Sequence, residues 1–423
     1  MRVIASDRLA ATAEADSDRR PAVLMVTGAY YPELSGGGLQ AREAIRALGG
    51  AAVFTVLTTS TDPSLPAHSE EDGVAVWRVS VDVRSASSQV AAALRIVAAF
   101  LRLAPRFDVV SLHGFSRKAI LLVALSRLLR KPFALTLCTG VHDEPESARA
   151  MGRAAYWAYT HADLYLSVSP SLSRAYLGAG LPPARLRSVC NGVDVERFRP
   201  AGVDERRALR EELGLPLDRA LVLFVGYFSR DKRPDLLYEA WSRVDVDVDK
   251  AAGSRPSAIV FVGATLPTYK EVDPELAAAI KERAGARGVA DRLFFVESTR
   301  ALEKYFRAAD LYVLPSIREG LPVALLEAMS SRLPCVATRL PGSTDVLIQH
   351  GVNGLLVEPD DAAALAESIR SLLWDREAAA RLGAAAREMV TDRYSIQRTA
   401  PVWLSAYQEL LSVRRKGALG RTR

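Results

Sequence analysis

The chain has little cysteine, and what it has is scattered. Cys138, Cys190 and Cys335 are the three in 423 residues, and none neighbours another. Each lies in or beside an apolar run. A disulfide framework and a clustered-thiolate zinc site are therefore excluded, and buried reduced thiols of a cytoplasmic protein are expected. Aromatic residues make up only 7%, and no aromatic-interleaved basic stretch is available to a nucleic acid, which is not expected as a partner. Met1–Arg20 lacks an apolar segment between its charges, so it reads as a disordered tail (residues 1–20) rather than a secretory signal. Long apolar runs are missing too. The longest, Ala119–Leu129, is interrupted by Arg127 and is too short to span a bilayer.

What is present is ordinary globular composition, with 49% hydrophobic and 25% charged residues. A single core stops growing near ~250–300 residues, so a chain of this length predicts two domains. The pattern of elements agrees. A buried strand, Ala22–Thr27, leads into a glycine-containing loop, Gly28–Gly38, then a helix near Leu39–Leu48 and a strand at Ala52–Thr58. This order opens a doubly wound α/β domain. Strands at Val74–Val79, Val109–Leu112, Phe133–Leu137 and Leu164–Val168 continue it, with helices at Val90–Leu103 and Lys118–Leu129. After Asn191-Gly192, a turn signal, and the hinge-like Pro200-Ala201-Gly202, the pattern restarts with strands at Ala220–Val225, Ala258–Val262, Leu293–Val296, Leu311–Pro315 and Pro334–Thr338. The expected fold class is α/β: two Rossmann-like domains, 21–200 and 201–396, facing a cleft. A last helix in 397–423 is expected to return to the first domain.

Two constellations in the second half carry chemistry. In Leu314–Met329 a strand ends at Pro315, a loop carries Glu319 and Gly320, and Pro322 stands where a helix begins. The amides of Gly320, Leu321 and Val323 would surround a helix N-terminus, which attracts anions. Glu327 follows Glu319 by eight residues, so two carboxylates flank a phosphate-sized gap and can accept hydroxyls of a sugar and a ribose. Structural roles, Glu319 in a loop cap and Glu327 on a helix surface, compete with this. They weaken because Glu327 stands inside the apolar run Val323–Met329, where an unpaired carboxylate is costly. In Val225–Pro234 a strand ends at Gly226, and Arg230 and Lys232 follow, cations suited to a diphosphate. A solvated basic loop is the competing reading.

In the first half, Ser35–Gly38 resembles a phosphate-cradling loop without matching a known glycine pattern, and a plain turn is as good a reading. His113 and His142 each lie just beyond a strand, facing the cleft. A lone histidine is more often structural than catalytic. Asp245-Val-Asp247-Val-Asp249 lacks the apolar strand a metal-binding D-x-D needs, so an acidic exposed loop is expected there.

Glu319–Glu327 resembles the E-x7-E motif of family 4 retaining glycosyltransferases of the GT-B fold. Further matches come in order: Gly36-Gly37, Asn191-Gly192-Val193-Asp194 with Phe198 and Pro200, Gly226…Arg230…Lys232, and Gly351–Val357. The resemblance implies that Glu319 binds sugar hydroxyls and Glu327 the ribose. Gly320, Leu321, Arg230, Lys232 and Gly37 would hold the donor phosphates. Val296 would lie on the nucleobase side, His142 near the anomeric carbon, and His113 and Gly36 on the acceptor side. It implies a nucleotide-diphosphate sugar as co-substrate, no cofactor and no metal. Tyr227 stands where the family has arginine, and Cys138 where it often has histidine. The function expected is transfer of a sugar to a glycan, lipid-linked or small-molecule acceptor. A sugar-nucleotide 2-epimerase and a non-catalytic sugar-nucleotide-binding partner in polysaccharide assembly are the alternatives.

Charge adds an expectation about location. Between Arg84 and His142 stand nine Arg or Lys and one acid, Asp108, a balance of +8 that exceeds the whole chain's +6. The basic excess therefore lies in the first domain. It suits docking of a cytoplasmic protein on an anionic membrane surface, at the inner face of the cytoplasmic membrane; a solvated surface is the alternative.

Overall fold

The computed structural model describes residues 20–33, 36–248, 256–266, 272–297 and 299–419. The first half builds one sheet from β1 (Ala22–Thr27), α1 (Gly36–Leu48), β2 (Val53–Ser60), β3 (His68–Glu71), β4 (Val74–Ser80), α2 (Ala86–Leu103), β5 (Val109–His113), α3 (Lys118–Leu128), β6 (Phe133–Leu137), α4 (Pro145–Ala150), α5 (Arg153–Thr160), β7 (Leu164–Ser167), α6 (Pro170–Gly178) and β8 (Leu186–Ser188). Its spatial order is β3-β4-β2-β1-β5-β6-β7-β8. All neighbours are parallel except β3 against β4.

The second half holds α7 (Val203–Glu212), β9 (Ala220–Val225), α8 (Pro234–Val248), β10 (Ser257–Val262), α9 (Pro274–Ala286), β11 (Leu293–Val296), α10 (Leu302–Ala308), β12 (Leu311–Leu314), α11 (Val323–Ser330), β13 (Cys335–Thr338), β14 (Leu355–Val357), α12 (Ala362–Trp374) and α13 (Arg376–Arg393). Its strands form a parallel sheet in the order β11-β10-β9-β12-β13-β14. The central strands β1, β5, β6 and β12 are buried along their length, which is why they read as continuous apolar runs rather than alternating ones. The last helix, α14 (Ile396–Leu419), returns to the first sheet. There Trp403 stacks on His113, the Tyr407 hydroxyl lies 3.2 Å from Ser111 Oγ, and Arg187 Nε donates to Glu409 at 2.9 Å.

This topology positions the site. In each sheet the chain winds to one side of a central strand and then to the other: β1 lies between β2 and β5, and β9 between β10 and β12. Ligands in such sheets bind beyond the carboxyl ends at the switch. Those ends are Thr27 and His113 in one domain, Val225 and Leu314 in the other.

Three expectations need correction, and one strand had no expectation at all. Gly36–Gly38 does not form a loop but the first turn of α1. The buried face of Ala41, Ala44, Ile45 and Leu48 propagates the helix into residues that would not form one alone. The acidic stretch is not a loop either: α8 runs through Val248, so Asp245 and Asp247 are helical, while Asp249 lies outside the described residues. Buried Leu237, Trp241 and Val244, at helical spacing, carry α8 past its charges. Strand β3 has the sequence His-Ser-Glu-Glu, with no apolar alternation to announce it; pairing with β4 makes it a strand. The longest apolar element is not Ala119–Leu129 but Ala86–Arg106, with a mean hydropathy of 1.3 and only 22% of its window buried. It is long and apolar enough to cross a membrane by length and composition, yet one face, including Ile96, Phe100 and Leu103, is buried in the first domain.

Candidate active site

The loop after β9 packs closely on the loop after β10: a Cβ on Gly263 would lie 2.0 Å from the Gly226 carbonyl oxygen. It is stitched to the loop after β12 by Ile317 N–H donating to the Asp231 carbonyl at 2.8 Å, and by Arg318 pairing with the Asp231 carboxylate. Within this frame Lys232 Nζ meets Glu319 Oε1 at 2.6 Å. Glu319 is only 8% exposed and Lys232 30%, so the pair is partly desolvated and stronger than a surface ion pair.

Gly320 and Leu321 stand at the domain junction. A Cβ on Gly320 would meet the Cys138 carbonyl oxygen at 1.9 Å, and one on Gly140 would lie 3.2 Å from the Glu319 carbonyl oxygen. Asn191 Nδ2 donates to the Leu321 carbonyl at 3.0 Å. Helix α11 then starts after Pro322 with no side-chain cap and no acidic residue in its first turn, which leaves its N-terminal amides to a ligand.

The opposing loop follows β6. Asp143 is buried and accepts from the backbone N–H groups of Phe115, Cys138 and Thr139 at 2.6, 2.7 and 2.8 Å. Burial pushes its pKa up, against these three donors. One carboxylate thus ties the ends of β5 and β6 into a single unit. Beside it, His142 N–H donates to the Gly140 carbonyl at 2.8 Å around Val141, whose φ is +67°. That is the strained hand of γ-turn, and a β-branched residue there is an outlier. It presents His142 to the other domain, with Nε2 at 3.2 Å from Arg318 Nη2.

Glu327 lines an interdomain cavity with Tyr31, Gln40, Glu43, Arg197, Arg300 and others. It is half-buried. Burial pushes its pKa up to about 8; Arg197 opposes this, while Glu43 and Glu303 add to it. Arg197 bridges the domains, 3.7 Å from Glu43 and 2.9 Å from Glu303.

Other expected site residues are placed differently. Arg230 is 82% exposed and paired with Asp273 at 3.1 Å, so it does not join Lys232 at Glu319; Arg318 is the second cation of this loop pair. His113 is not open to an acceptor. It is buried against Trp403, neither ring nitrogen has a hydrogen-bond partner, and burial pushes its pKa down to about 4. Gly36 and Gly37 stand in the first turn of α1, with nothing within 4 Å of a Cβ on Gly37. Val296 ends β11, its carbonyl accepting from Gly263 N–H at 2.9 Å. Arg318, Asp143 and Asn191 were missed as site residues. Each sits inside or beside a stretch already singled out, but only the fold shows what it touches.

Two parallel-sheet domains with their switch points facing across a junction define a GT-B architecture, with a Lys–Glu pair beside an uncapped helix in the second domain. The comparisons agree. Residues 205–389 match the family Glycosyl transferases group 1, and residues 35–192 match the Glycosyl transferase 4-like domain. The chain belongs to this glycosyltransferase family. A D-inositol 3-phosphate glycosyltransferase of Geodermatophilus obscurus is 34% identical over 61% of this chain and 55% of that relative. One from Catenulispora acidiphila is 32% identical over 46% and 44%. The chain thus spans about half the length of the curated relatives it matches. Among solved structures, sucrose-phosphate synthase from Thermosynechococcus elongatus superposes with a TM-score of 0.76 at 22% identity, covering 93% of this chain and all of that one. Anabaena Alr3699/HepE in complex with UDP and glucose gives 0.72 at 17%, covering 94% and 100%. At these identities the likeness is one of fold.

Proposed function

We propose that this protein transfers a sugar from a nucleotide-diphosphate sugar to an acceptor hydroxyl, with retention at the anomeric carbon and without a metal. The observation that carries this is the meeting, at the switch point of the second sheet, of the Lys232–Glu319 pair with the uncapped N-terminus of α11. Glu319 is the hydroxyl acceptor for the donor sugar. Lys232, Arg318 and the amides of Gly320, Leu321 and Val323 stabilise the departing diphosphate, supplying the positive charge a metal would otherwise bring. Glu327 accepts from the ribose. His142 Nε2 lies 3.2 Å from Arg318 Nη2, so the imidazole is engaged beside the donor loop, and in this reading the leaving phosphate is the base on the acceptor's side of the sugar. The solved relative holding UDP and glucose, and the curated relatives acting on an inositol phosphate, are in keeping with a nucleotide-sugar donor and a polyol acceptor.

A thermal-shift screen against UDP, GDP, ADP and CMP in the presence of EDTA tests the donor site. A selective shift, lost in Glu327→Ala, is expected; no shift with any nucleotide would point to a non-catalytic protein. The anomeric configuration of product, read by NMR, tests retention, and an inverted product would overturn it.

The acceptor side includes a surface suited to a membrane, at the inner face of the cytoplasmic membrane. Val90, Leu94 and Leu101 on α2 and Leu128 at the end of α3 are exposed, Leu94 by 67% and Leu128 by 75%. Exposed arginines, among them Arg95, Arg102 and Arg127, flank them. An apolar face with a basic rim is what an anionic bilayer binds. Two of the nine cations counted in the sequence do not contribute: Lys131 donates inward to the Phe107 carbonyl and Lys118 to that of Thr27. Flotation with anionic but not neutral liposomes, weakened by Leu94→Glu, is expected; absence from both would remove the membrane from the proposal.

A further inference from the structure

Arg197 belongs by sequence to the end of the first domain, yet the fold fixes it to the second. Its segment is gripped there. Arg387 Nη1 on α13 donates to the carbonyls of Val195 and Phe198 at 3.4 and 3.3 Å. Ser330 Oγ, at the end of α11, donates to the Phe198 carbonyl at 2.5 Å, and the Phe198 ring packs edge-on against Phe306 of α10. Arg197 itself donates through Nε and Nη2 to Glu303 Oε2 at 3.1 and 2.9 Å. Its remaining arm, Nη1, reaches across the junction to Glu43 of α1 at 3.7 Å. At that distance the two form an ion pair but not a hydrogen bond. Glu43 has a firmer partner in its own domain, Arg46 at 3.2 Å, and Arg46 in turn holds Asp72 at 2.9 Å. A chain of ion pairs therefore runs from Asp72 to Glu303, and its longest link is the one that crosses between domains.

The same junction carries a second contact of this kind. Arg300, just before α10, stands with its Cζ 5.3 Å from the centre of the Tyr31 ring, which Arg42 of α1 already covers at 3.6 Å. Both contacts lie in the walls of the cavity that holds Glu327. Tyr31, Arg42 and Glu43 line it from the first domain, and Arg197, Arg300 and Glu327 from the second. The cavity is about 80 Å³, whereas sites that enclose a small molecule are ~300–1,000 Å³. A nucleotide cannot settle beside Glu327 until these walls part. The Arg197–Glu43 link is built to allow it. A partly exposed ion pair without a hydrogen bond is weak, and breaking it strands no charge, because Glu43 keeps Arg46 and Arg197 keeps Glu303.

We propose that Arg197 is a positioning residue, a strap that couples the donor pocket to domain closure: nucleotide enters when Arg197 releases Glu43, and the contact re-forms to hold α1 against α10 while the sugar is transferred. This rests on the glycosyltransferase reading of the Glu327 cavity. The rival is a static ion pair that contributes to stability alone.

The test combines small-angle X-ray scattering with stopped-flow binding of UDP, GDP and ADP, on full-length wild type, Glu43→Gln, Arg197→Gln, Arg197→Lys and the Glu43→Gln/Arg197→Gln double variant. Arg207→Gln, in an exposed pair within α7, is the control. Glu43→Gln is isosteric and leaves the second domain untouched, so the test does not depend on the less exposed grip of Arg197 on Glu303. Without nucleotide, Glu43→Gln and Arg197→Gln should have a larger radius of gyration than wild type, and high salt should expand wild type but not Glu43→Gln. Both variants should release bound nucleoside diphosphate ~2–5-fold faster, the factor a partly exposed ion pair supplies. The double variant should release it no faster than Arg197→Gln, because both substitutions break one contact. Arg197→Lys, which keeps the charge, should stay closer to wild type, and Arg207→Gln should match wild type in both measurements. Wild-type dimensions and release rates in Glu43→Gln, or effects that multiply in the double variant, would overturn the proposal. If no nucleoside diphosphate binds wild type, the donor reading fails instead, and the scattering alone decides whether Arg197 holds the domains together.

Discussion

Glu327 is a carboxyl group that the fold keeps partly out of water, and this makes a sharp prediction. Its pKa rises from 4.5 to about 8 on folding. The folded state therefore binds more protons than the unfolded state between those values, and stability must fall as pH rises through that window. The interval, at ~1.36 kcal/mol per pH unit, caps the loss near ~5 kcal/mol. Because the cavity admits some water and Arg197 stands near, about 2 kcal/mol is the working figure. For a domain of this size that is roughly 4–8 °C in melting temperature. Glu327→Gln is neutral throughout and lacks this loss. In scanning fluorimetry without ligand, the variant should match wild type near pH 4 and melt higher at pH 9. Nucleotide reverses the ranking. A ribose hydroxyl donating to Glu327 favours the charged carboxylate, so wild type should gain more from nucleotide than the variant, and binding at pH 7 should release a proton. That release appears in calorimetry as a dependence on buffer ionisation enthalpy. Parallel melting curves across pH, or a variant less stable at pH 9, would refute the reasoning.

Other outcomes follow from the same geometry. Lys232→Met strands the Glu319 carboxylate and removes a diphosphate contact; affinity for nucleoside diphosphate should drop ~10–100-fold, while affinity for the nucleoside changes little. Gly320→Ala forces a Cβ into the Cys138 carbonyl oxygen, so the domains must part, and turnover should fall at least ~10-fold with nucleotide binding intact. Asp143→Asn leaves one acceptor oxygen for three N–H groups, and a loss of ~2–4 kcal/mol is expected in denaturant unfolding. Val141→Gly relieves the positive φ, so stability should rise by ~1 kcal/mol while kcat falls, because His142 is no longer held toward Arg318.

Much of this protein was legible in its residues alone. Parallel strands buried on both faces must be nearly all apolar, so β1, β5, β6 and β12 announced themselves. Two series of them, separated by Pro200-Ala201-Gly202, announced two domains. Glu319, Gly320 and Lys232 could be chosen because strand ends in such sheets face ligands and because diphosphates need cations. Sequence could not decide among cations close together in one loop. Arg230 and Lys232 are two residues apart, yet one turns to Asp273 and the other to Glu319, a choice made by the loop's backbone. Nor could it tell His113 from His142. The end of β5 is covered by Trp403 from α14, nearly 300 residues later, while the end of β6 is left open by a γ-turn. Arg318 at His142, Asp143 tying two strand ends, and Lys118 donating to the Thr27 carbonyl are juxtapositions across sequence separations of up to 176 residues. Local pattern determines which segments become strands and helices, because burial and backbone pairing act on every residue of an element. Which side chains meet depends on how those elements close on one another, and only the tertiary structure decided that.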